Sequence, residues 1–173
     1  MKAIVVYESM FGNTHQVADA VAEGLEDVAD VSVHPVSEAV PAVLARADLL
    51  VVGGPTHMHG MASNTSHKAA ADDARKHPEH VLDPEAEGPA LRVWFDGIGK
   101  ADGARAAAFD TRVPKSKLLT GSAAKGIAKR LSRHGYEVVG EESFIVDDMA
   151  GPLHEGELER ARVWGRGLAS SLG

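Results

Sequence analysis

Short apolar runs alternate with amphipathic stretches in the first third of the chain, and the two patterns predict strands and helices in turn. A β-branched run at 2–7 (KAIVVY) ends at a polar turn that contains a glycine, as a buried parallel strand does. Apolar residues then recur at helical spacing over 14–25. A weaker second strand comes next at 31–33, and a third strand, apolar throughout, at 48–53. These elements open a parallel α/β fold.

The pattern is least regular between residues 60 and 103. Residues 63–77 look helical and polar, and several prolines and glycines interrupt the chain after them, so we interpret this segment as an excursion over the surface. Residues 91–98 are aromatic enough for a strand, but the glycines at their end favour a short helix. Residues 104–109 are then the fourth strand.

Three further elements complete the chain. The pattern predicts a helix around 124–131, a fifth strand at 136–146 and a closing helix at 158–172. Short strands separated by helices specify a parallel sheet with helices on both faces, here in strand order 2-1-3-4-5. We therefore predict one α/β domain over residues 1–173, a three-layer sandwich. Its functional loops should come after strands 1, 3 and 4, where the winding direction of the sheet reverses.

The composition of the chain excludes several classes of function. A hydrophobic content of 44% over 173 residues is enough for the core of one domain. The net charge of −7 disfavours binding to nucleic acid or to anionic membranes. Cysteine is absent, which excludes disulfides, thiol nucleophiles and iron–sulfur clusters, so redox chemistry would need a bound cofactor. Because no basic leader and no apolar run of membrane length is present, we expect a cytoplasmic protein that does not contact membranes.

The loop after strand 1 has the chemistry of an anion site. It offers two hydroxyl groups, a glycine and free backbone N–H groups at the start of a helix, which can hold a phosphate without a lysine. Capping of the helix by Ser9 or Thr14 is the alternative interpretation, but the position of the loop directly after a buried first strand favours the phosphate. The candidate residues are Ser9, Met10, Phe11, Gly12, Asn13 and Thr14.

The sequence from Tyr7 to Val21 (YESMFGNTHQVADAV) resembles the flavodoxin signature. An aromatic residue is followed by Ser, Gly, Thr, Ala and Val at the spacing of the family, and the strand and helix pattern extends the resemblance over most of the chain. The resemblance implies a flavodoxin-like sandwich that binds FMN, with Ser9, Asn13 and Thr14 and the neighbouring amides on the phosphate. The Ser-Met-Phe-Gly turn also resembles that of FMN-dependent quinone reductases built on this fold.

The resemblance implies that the loop after strand 3 lines the flavin ring. Flavodoxins usually place a large aromatic residue there, and its absence predicts weaker flavin binding, with an imidazole or a thioether against the ring. Two histidines separated by one residue could suggest a metal, but no carboxylate is nearby at ligand spacing, so we predict no metal site. The candidate cofactor residues are Pro55, Thr56, His57, Met58 and His59.

The residues after strand 4 correspond to the third flavin loop of the family, again without its usual tyrosine. Asp110, Thr111 and Arg112 are the candidates here. A cation near the pyrimidine end of the ring would stabilise reduced, anionic flavin and raise its potential above that of typical flavodoxins. Alternatively, Arg112 is a surface arginine that pairs with Asp110 or another carboxylate.

Outside these loops the predictions are structural. We expect Trp94 and Trp164 in the core, and Thr120 or Ser122 as the cap of the helix near residue 124. The acidic residues near the C-terminus should decorate a solvated rim and the start of the last helix. They are Asp147, Asp148, Glu155, Glu157 and Glu159.

Three functions remain open. The first is an FMN-binding electron-transfer protein without catalytic residues, which exchanges electrons with a redox partner protein or a small-molecule acceptor and whose charge suits a basic partner. The second is an FMN-dependent NAD(P)H:quinone oxidoreductase, in which the protein chiefly orients the flavin. The third is a flavodoxin-fold binding module without flavin, suggested by the missing aromatics. The intact phosphate loop is evidence against the third, and of the remaining two we favour the first.

Overall fold

A computed structural model describes residues 1–57, 60–115 and 121–170 and shows strands and helices alternating along the chain. In chain order the elements are β1 (Lys2–Tyr7), α1 (Asn13–Leu25), β2 (Asp30–Pro35), α2 (Pro41–Leu44), β3 (Leu49–His57), β4 (Gly60–Met61), α3 (Asn64–Lys76), α4 (Leu91–Gly97), β5 (Arg105–Arg112), α5 (Ala123–Arg133), β6 (Glu137–Ile145) and α6 (Glu157–Ser170). The helices predicted at 63–77 and 91–98 are therefore confirmed as α3 and α4.

The main strands form a parallel sheet in the order β2-β1-β3-β5-β6, which confirms the predicted order 2-1-3-4-5. The short strand β4 was not predicted and pairs antiparallel with the end of β3, so that Met61 lies opposite Thr56. The chain winds from β1 outward to β2 and then back past β1 to β3. The carboxyl ends of β1 and β3 therefore flank the point of reversal, where ligands bind in such sheets.

Helices cover both faces of the sheet, so its inner strands are apolar on both sides. One core contains α4 and α5 with alternate residues of β1 and β3, and the other contains α1 and α6 with the intervening residues. Both tryptophans lie in these cores, as predicted. Trp94 is buried and donates its indole N–H to the carbonyl oxygen of Ala39 at 2.7 Å. Trp164 packs edge-on against Phe109 and Phe144.

Strands β3 and β5 run further than predicted. The third strand was predicted to end at Gly53, but parallel pairing continues past it, with Pro55 opposite Thr111. Gly53 is needed for packing instead, since a Cβ atom there would lie 2.0 Å from the ring of Phe109. The residues assigned to the second and third loops therefore begin as strand ends, which fixes their backbone.

The segment 60–103 is more regular than the predicted surface excursion. Helix α3 begins with a capping box, in which Ser63 and Ser66 each accept the backbone N–H of the other at 3.3 Å. The segment also packs on the first loop, because the Asp83 N–H donates to the Met10 carbonyl oxygen at 2.8 Å. Among the residues described here, no helix is long and apolar enough to cross a membrane.

Candidate functional site

A cavity of about 660 Å³ lies at the carboxyl edge of the sheet, at the ends of β1, β3, β5 and β6. It brings together most of the predicted site residues. Its lining contains Ser9, Met10, Phe11, Asn13, Thr14, Pro55, Thr56, His57, Thr111 and Arg112, and also Val113, Pro114, Lys115, Val146, Asp147, Asp148 and Met149. Of the predicted residues, Gly12 and Asp110 do not line it, and Met58 and His59 lie outside the described residues.

The first loop leaves the start of α1 open toward a ligand. Gly12 precedes the helix with φ +83°, a left-handed conformation that favours glycine, and no side chain from the described ranges caps the helix. Ser9 Oγ accepts the Gly12 N–H at 3.1 Å, and Thr14 Oγ1 lies 2.8 Å from Thr111 Oγ1. The alternative interpretation required Ser9 or Thr14 to cap α1, and neither hydroxyl does so. The positive end of the helix dipole remains available to an anion.

Asp110 lies behind the cavity and fixes its wall. It is fully buried, and its Oδ2 accepts three hydrogen bonds of 2.9 Å, from the hydroxyl groups of Thr56 and Ser122 and from the Ala124 N–H. Ser122 also caps α5 through the Lys125 N–H, as predicted for one of two candidates. The other candidate, Thr120, lies outside the described residues. Asp110 thus joins the end of β3 to the start of α5.

Arg112 is a buried cation in the cavity wall. Only 3% of the residue is exposed, so the interpretation of a surface arginine is wrong. Its guanidinium donates to the carbonyl oxygens of Lys115 and Gly121. Since a charge acts more strongly in a low-dielectric site than in water, Arg112 makes this end of the cavity favourable for a group that gains negative charge.

His57 brings an unsatisfied polar atom to the cavity. Its Nε2 is buried and has no hydrogen-bond partner among the described residues. Burial lowers the pKa of His57, which the negative charge of Glu8 opposes and the positive charge of His67 reinforces. The imidazole is therefore uncharged at neutral pH and offers one hydrogen bond to a ligand. No group of His, Asp and Glu within the described ranges is arranged to hold a metal ion.

Glu8 and His67 were not predicted as site residues. Glu8 comes directly after β1 and is buried, with Oε1 in contact with His67 Nε2 and Oε2 accepting the Leu91 N–H at 3.2 Å. Its signal in the sequence is an acidic side chain between the apolar strand and the first loop. The partner could not be found in the same way because His67 lies 59 residues away in the irregular segment.

The loop after β6 supplies a fourth wall of the cavity. Asp147 and Asp148 are exposed, as expected for a solvated rim, and this rim also lines the cavity together with Met149. Strand β6 is parallel to β5, so its carboxyl end reaches the same edge of the sheet. That rule alone would have predicted the loop as part of the site.

Glu157 lies at the start of α6, as predicted, but it is not solvated, because it is only 8% exposed. It accepts the Ile145 N–H at 2.7 Å and pairs with Arg160, which holds the end of β6 to α6. Burial raises the pKa of this carboxyl group. The hydrogen bonds from Arg160 and Ile145 together lower it by more than burial raises it, so the pKa lies below its ordinary value.

The sequence model of the family described as Flavodoxin matches residues 5–160. The chain belongs to the flavodoxin family. Flavodoxins are electron-transfer proteins that work with redox partners. The match spans the three predicted loops, including the first loop with Ser9 and Thr14, and the segment 60–103.

Solved flavodoxins share the fold of this one at low sequence identity. A flavodoxin from the domain Archaea is 21% identical with a TM-score of 0.64, and Flavodoxin 2 from Bacillus cereus is 20% identical with a TM-score of 0.65. The flavodoxin of Streptococcus pneumonia TIGR4 is 18% identical with a TM-score of 0.67. Each comparison covers 99% of both chains.

A curated relative has a different name. Over 53 residues this flavodoxin is 45% identical to a protein of Syntrophus aciditrophicus named NAD(P)H dehydrogenase (quinone). The match covers 31% of this chain and 25% of the length of that relative.

Proposed function

We propose that this flavodoxin binds FMN in the cavity at the carboxyl edge of the sheet and carries electrons between a reducing and an oxidising partner. The observation that carries the proposal is the pairing, in one cavity, of an uncapped helix start with hydroxyl groups and of largely apolar walls. FMN has one part for each of these features: its phosphate suits the helix start, and its aromatic ring suits the apolar walls. The volume of about 660 Å³ is typical of a site for a molecule of this size.

The phosphate would lie at the first loop. Ser9, Asn13 and Thr14 line the cavity there, beside the backbone N–H groups at the start of α1. These groups hold an anion by hydrogen bonds and by the helix dipole, without a basic side chain.

The ring would lie against the second, third and fourth walls. Phe11, Pro55, Val113 and Met149 offer apolar surface, and the unpartnered Nε2 of His57 offers a hydrogen bond to a polar ring edge. When bound, FMN supplies the reversible uptake and release of electrons. The chain binds and orients the ring and excludes water from it.

The partner that best fits the cavity mouth is a protein with a basic surface. Asp147 and Asp148 line the cavity, and Met149 beside them is 62% exposed. The net charge of −7 adds long-range attraction to a basic partner, which raises the rate of encounter. Electron exchange by such a carrier requires no proton donor or nucleophile in the protein.

Reconstitution tests the proposal. The purified protein is mixed with FMN, desalted and measured by visible absorption spectroscopy. Retained flavin absorbance, at about one FMN per chain, is the expected result. Loss of all flavin on desalting, together with no quenching of FMN fluorescence on mixing, would overturn the proposal and favour a flavodoxin-fold binding module without flavin.

A second candidate is an FMN-dependent NAD(P)H:quinone oxidoreductase. Two observations favour it, the partial similarity to the protein named NAD(P)H dehydrogenase (quinone) and the Ser-Met-Phe-Gly turn at residues 9–12. Oxidation of NADH and NADPH by the FMN-loaded protein, with and without a soluble benzoquinone, separates the two functions. A carrier shows almost no turnover, whereas a reductase shows turnover that depends on the quinone.

A further inference from the structure

A carboxylate and a histidine are in contact at the end of β1, and a second histidine lies at the end of the neighbouring strand β3. Glu8 is 4% exposed, contacts His67 Nε2 through Oε1 and accepts the Leu91 N–H through Oε2. His57 lines the cavity, where burial lowers its pKa most, Glu8 opposes this and His67 reinforces it. The proposed function uses His57 as a hydrogen-bond partner of the ring, but it does not explain the buried pair of Glu8 and His67.

The irregular segment of the sequence builds this pair. The capping box at Ser63 starts α3, and His67 lies in its first turn, where it reaches Glu8. The Leu91 N–H that binds the other oxygen of Glu8 belongs to the start of α4. Both oxygens of the carboxylate are thereby held by the segment 60–103, which gives that segment a role at the cavity.

We propose that His57 takes up a proton at Nε2 as the flavin site is reduced, and that the Glu8 carboxylate, held by His67, favours this uptake. The proposal rests on the proposed function, since it requires FMN in the cavity. In the step, an electron from the reductant enters the flavin and a proton from solvent enters the imidazole. No bond to carbon forms or breaks.

Burial couples the charge of His57 to the charge of the cavity. It keeps His57 uncharged before the site is reduced, because a buried imidazolium is poorly solvated. A negative charge that arrives in the same cavity stabilises the imidazolium, so reduction and protonation favour each other. Linkage requires the reciprocal effect, in which protonation of His57 raises the potential of the flavin.

Charged groups around the cavity and its wall either favour or oppose the protonation of His57. Glu8, at the end of β1, and the carboxylates Asp147 and Asp148, after β6, favour protonation of His57. The cations oppose it. The groups to be considered are Glu8, His67 of α3, Asp110 and Arg112 of β5, Lys115, Asp147 and Asp148. These charges set the pH at which uptake occurs, while the coupling itself requires only His57 and the reduced site.

Potentiometric titration at a series of pH values tests the proposal. Wild-type protein loaded with FMN is compared with His57→Gln, with Glu8→Gln and with the control His134→Gln, which alters a histidine at the opposite edge of the sheet. We expect a potential that rises as the pH falls through the range in which His57 takes up its proton, in wild type and in the control. His57→Gln should lack this component, and Glu8→Gln should move it to lower pH. Superimposable curves for wild type and His57→Gln would overturn the proposal.

A second readout does not depend on a variant that folds. Histidine ¹⁵N resonances of the wild-type protein, recorded against pH before and after reduction by dithionite, give the pKa of His57 in both states. The expected result is a higher pKa in the reduced protein, and an unchanged pKa would contradict the proposal. Retained FMN with unchanged His57 titration overturns this inference alone, whereas absence of FMN binding overturns it together with the proposed function.

Discussion

The side-chain oxygens of Thr14 and Thr111 lie 2.8 Å apart and join the start of α1 to the end of β5. The hydrogen bond is buried and links residues that are 97 positions apart in the chain. It ties together the first and third loops, which line the cavity from different strands. A substitution at Thr14 therefore removes both a hydroxyl group of the ligand site and a contact between loops, and only a matched change at Thr111 separates the two effects.

Close contact between α1 and α6 depends on small residues. A Cβ atom at Gly165 would lie 2.4 Å from the Val21 carbonyl oxygen, whereas one at Gly167 would meet no atom within 4 Å. We expect Gly165→Ala to destabilise the protein by about 2 kcal/mol, because the helices must move apart. Gly167→Ala in the same helix should stabilise it by about 0.5 to 1 kcal/mol through helix propensity. Urea unfolding measures both, and equal effects would contradict the packing argument.

Glu157 should make stability depend on pH. Its pKa is lower in the folded protein than in the unfolded chain, so its contribution is fully present above the ordinary pKa and is lost as the pH falls through the folded pKa. Glu157→Gln weakens charged hydrogen bonds to Ile145 and Arg160, and we expect a loss of about 2 kcal/mol at neutral pH. The difference from wild type should shrink toward pH 3. Thermal unfolding across that range would refute this explanation if the difference stayed constant.

Asp110 should matter for stability more than any single donor that it binds. Asp110→Ala leaves the Thr56 and Ser122 hydroxyl groups and the Ala124 N–H without their acceptor, at an expected cost of about 3 kcal/mol. Ser122→Ala removes one of these donors and a helix cap, and should cost about 1 kcal/mol. Equal losses for the two variants in denaturant titrations would show that Asp110 does not organise this wall.

Arg112 should set the flavin potential through its charge. Arg112→Gln removes the charge from the cavity wall and should lower the potential of the bound flavin. Arg112→Lys keeps the charge, so its flavin potential should stay close to that of wild type. The lysine variant also serves as the control for the lost hydrogen bonds to the carbonyl oxygens of Lys115 and Gly121. A potential that falls equally in both variants would assign the effect to the backbone of this segment instead of the charge.

Hydrophobic periodicity was sufficient to predict the strands of the parallel sheet and the principal helices, and the strand order followed from the class of fold that these elements indicate. Its errors lie where packing overrides local signals. Gly53 was interpreted as the end of a strand, but it is required inside β3 so that the ring of Phe109 can pack against the backbone. Local pattern also could not show that 60–103 folds onto the first loop, because its contacts with Met10, His15 and Glu8 span many residues.

The candidate site was predictable where residues come directly after a strand in the sequence and less so where they meet across the fold. Ser9 to Thr14 come directly after β1, and the structure places all of them except Gly12 in the cavity lining. The contact of Glu8 with His67 and the burial of Arg112 depend on tertiary packing, which no local pattern encodes. Asp147 and Asp148 are an intermediate case, because the rule that ligands bind at carboxyl strand ends applies to β6 as it does to β5.

The central claim is that the first loop holds the phosphate of FMN. Its most direct test is the ratio of riboflavin to FMN dissociation constants, measured by fluorescence quenching in wild type, Thr14→Val and Thr111→Val. Wild type and Thr111→Val should both bind FMN far more tightly than riboflavin, since riboflavin lacks the phosphate. In Thr14→Val the ratio should fall about tenfold. The riboflavin affinity of Thr14→Val should differ from that of wild type by no more than the riboflavin affinity of Thr111→Val does. Equal affinities for FMN and riboflavin in the wild-type protein would contradict the claim.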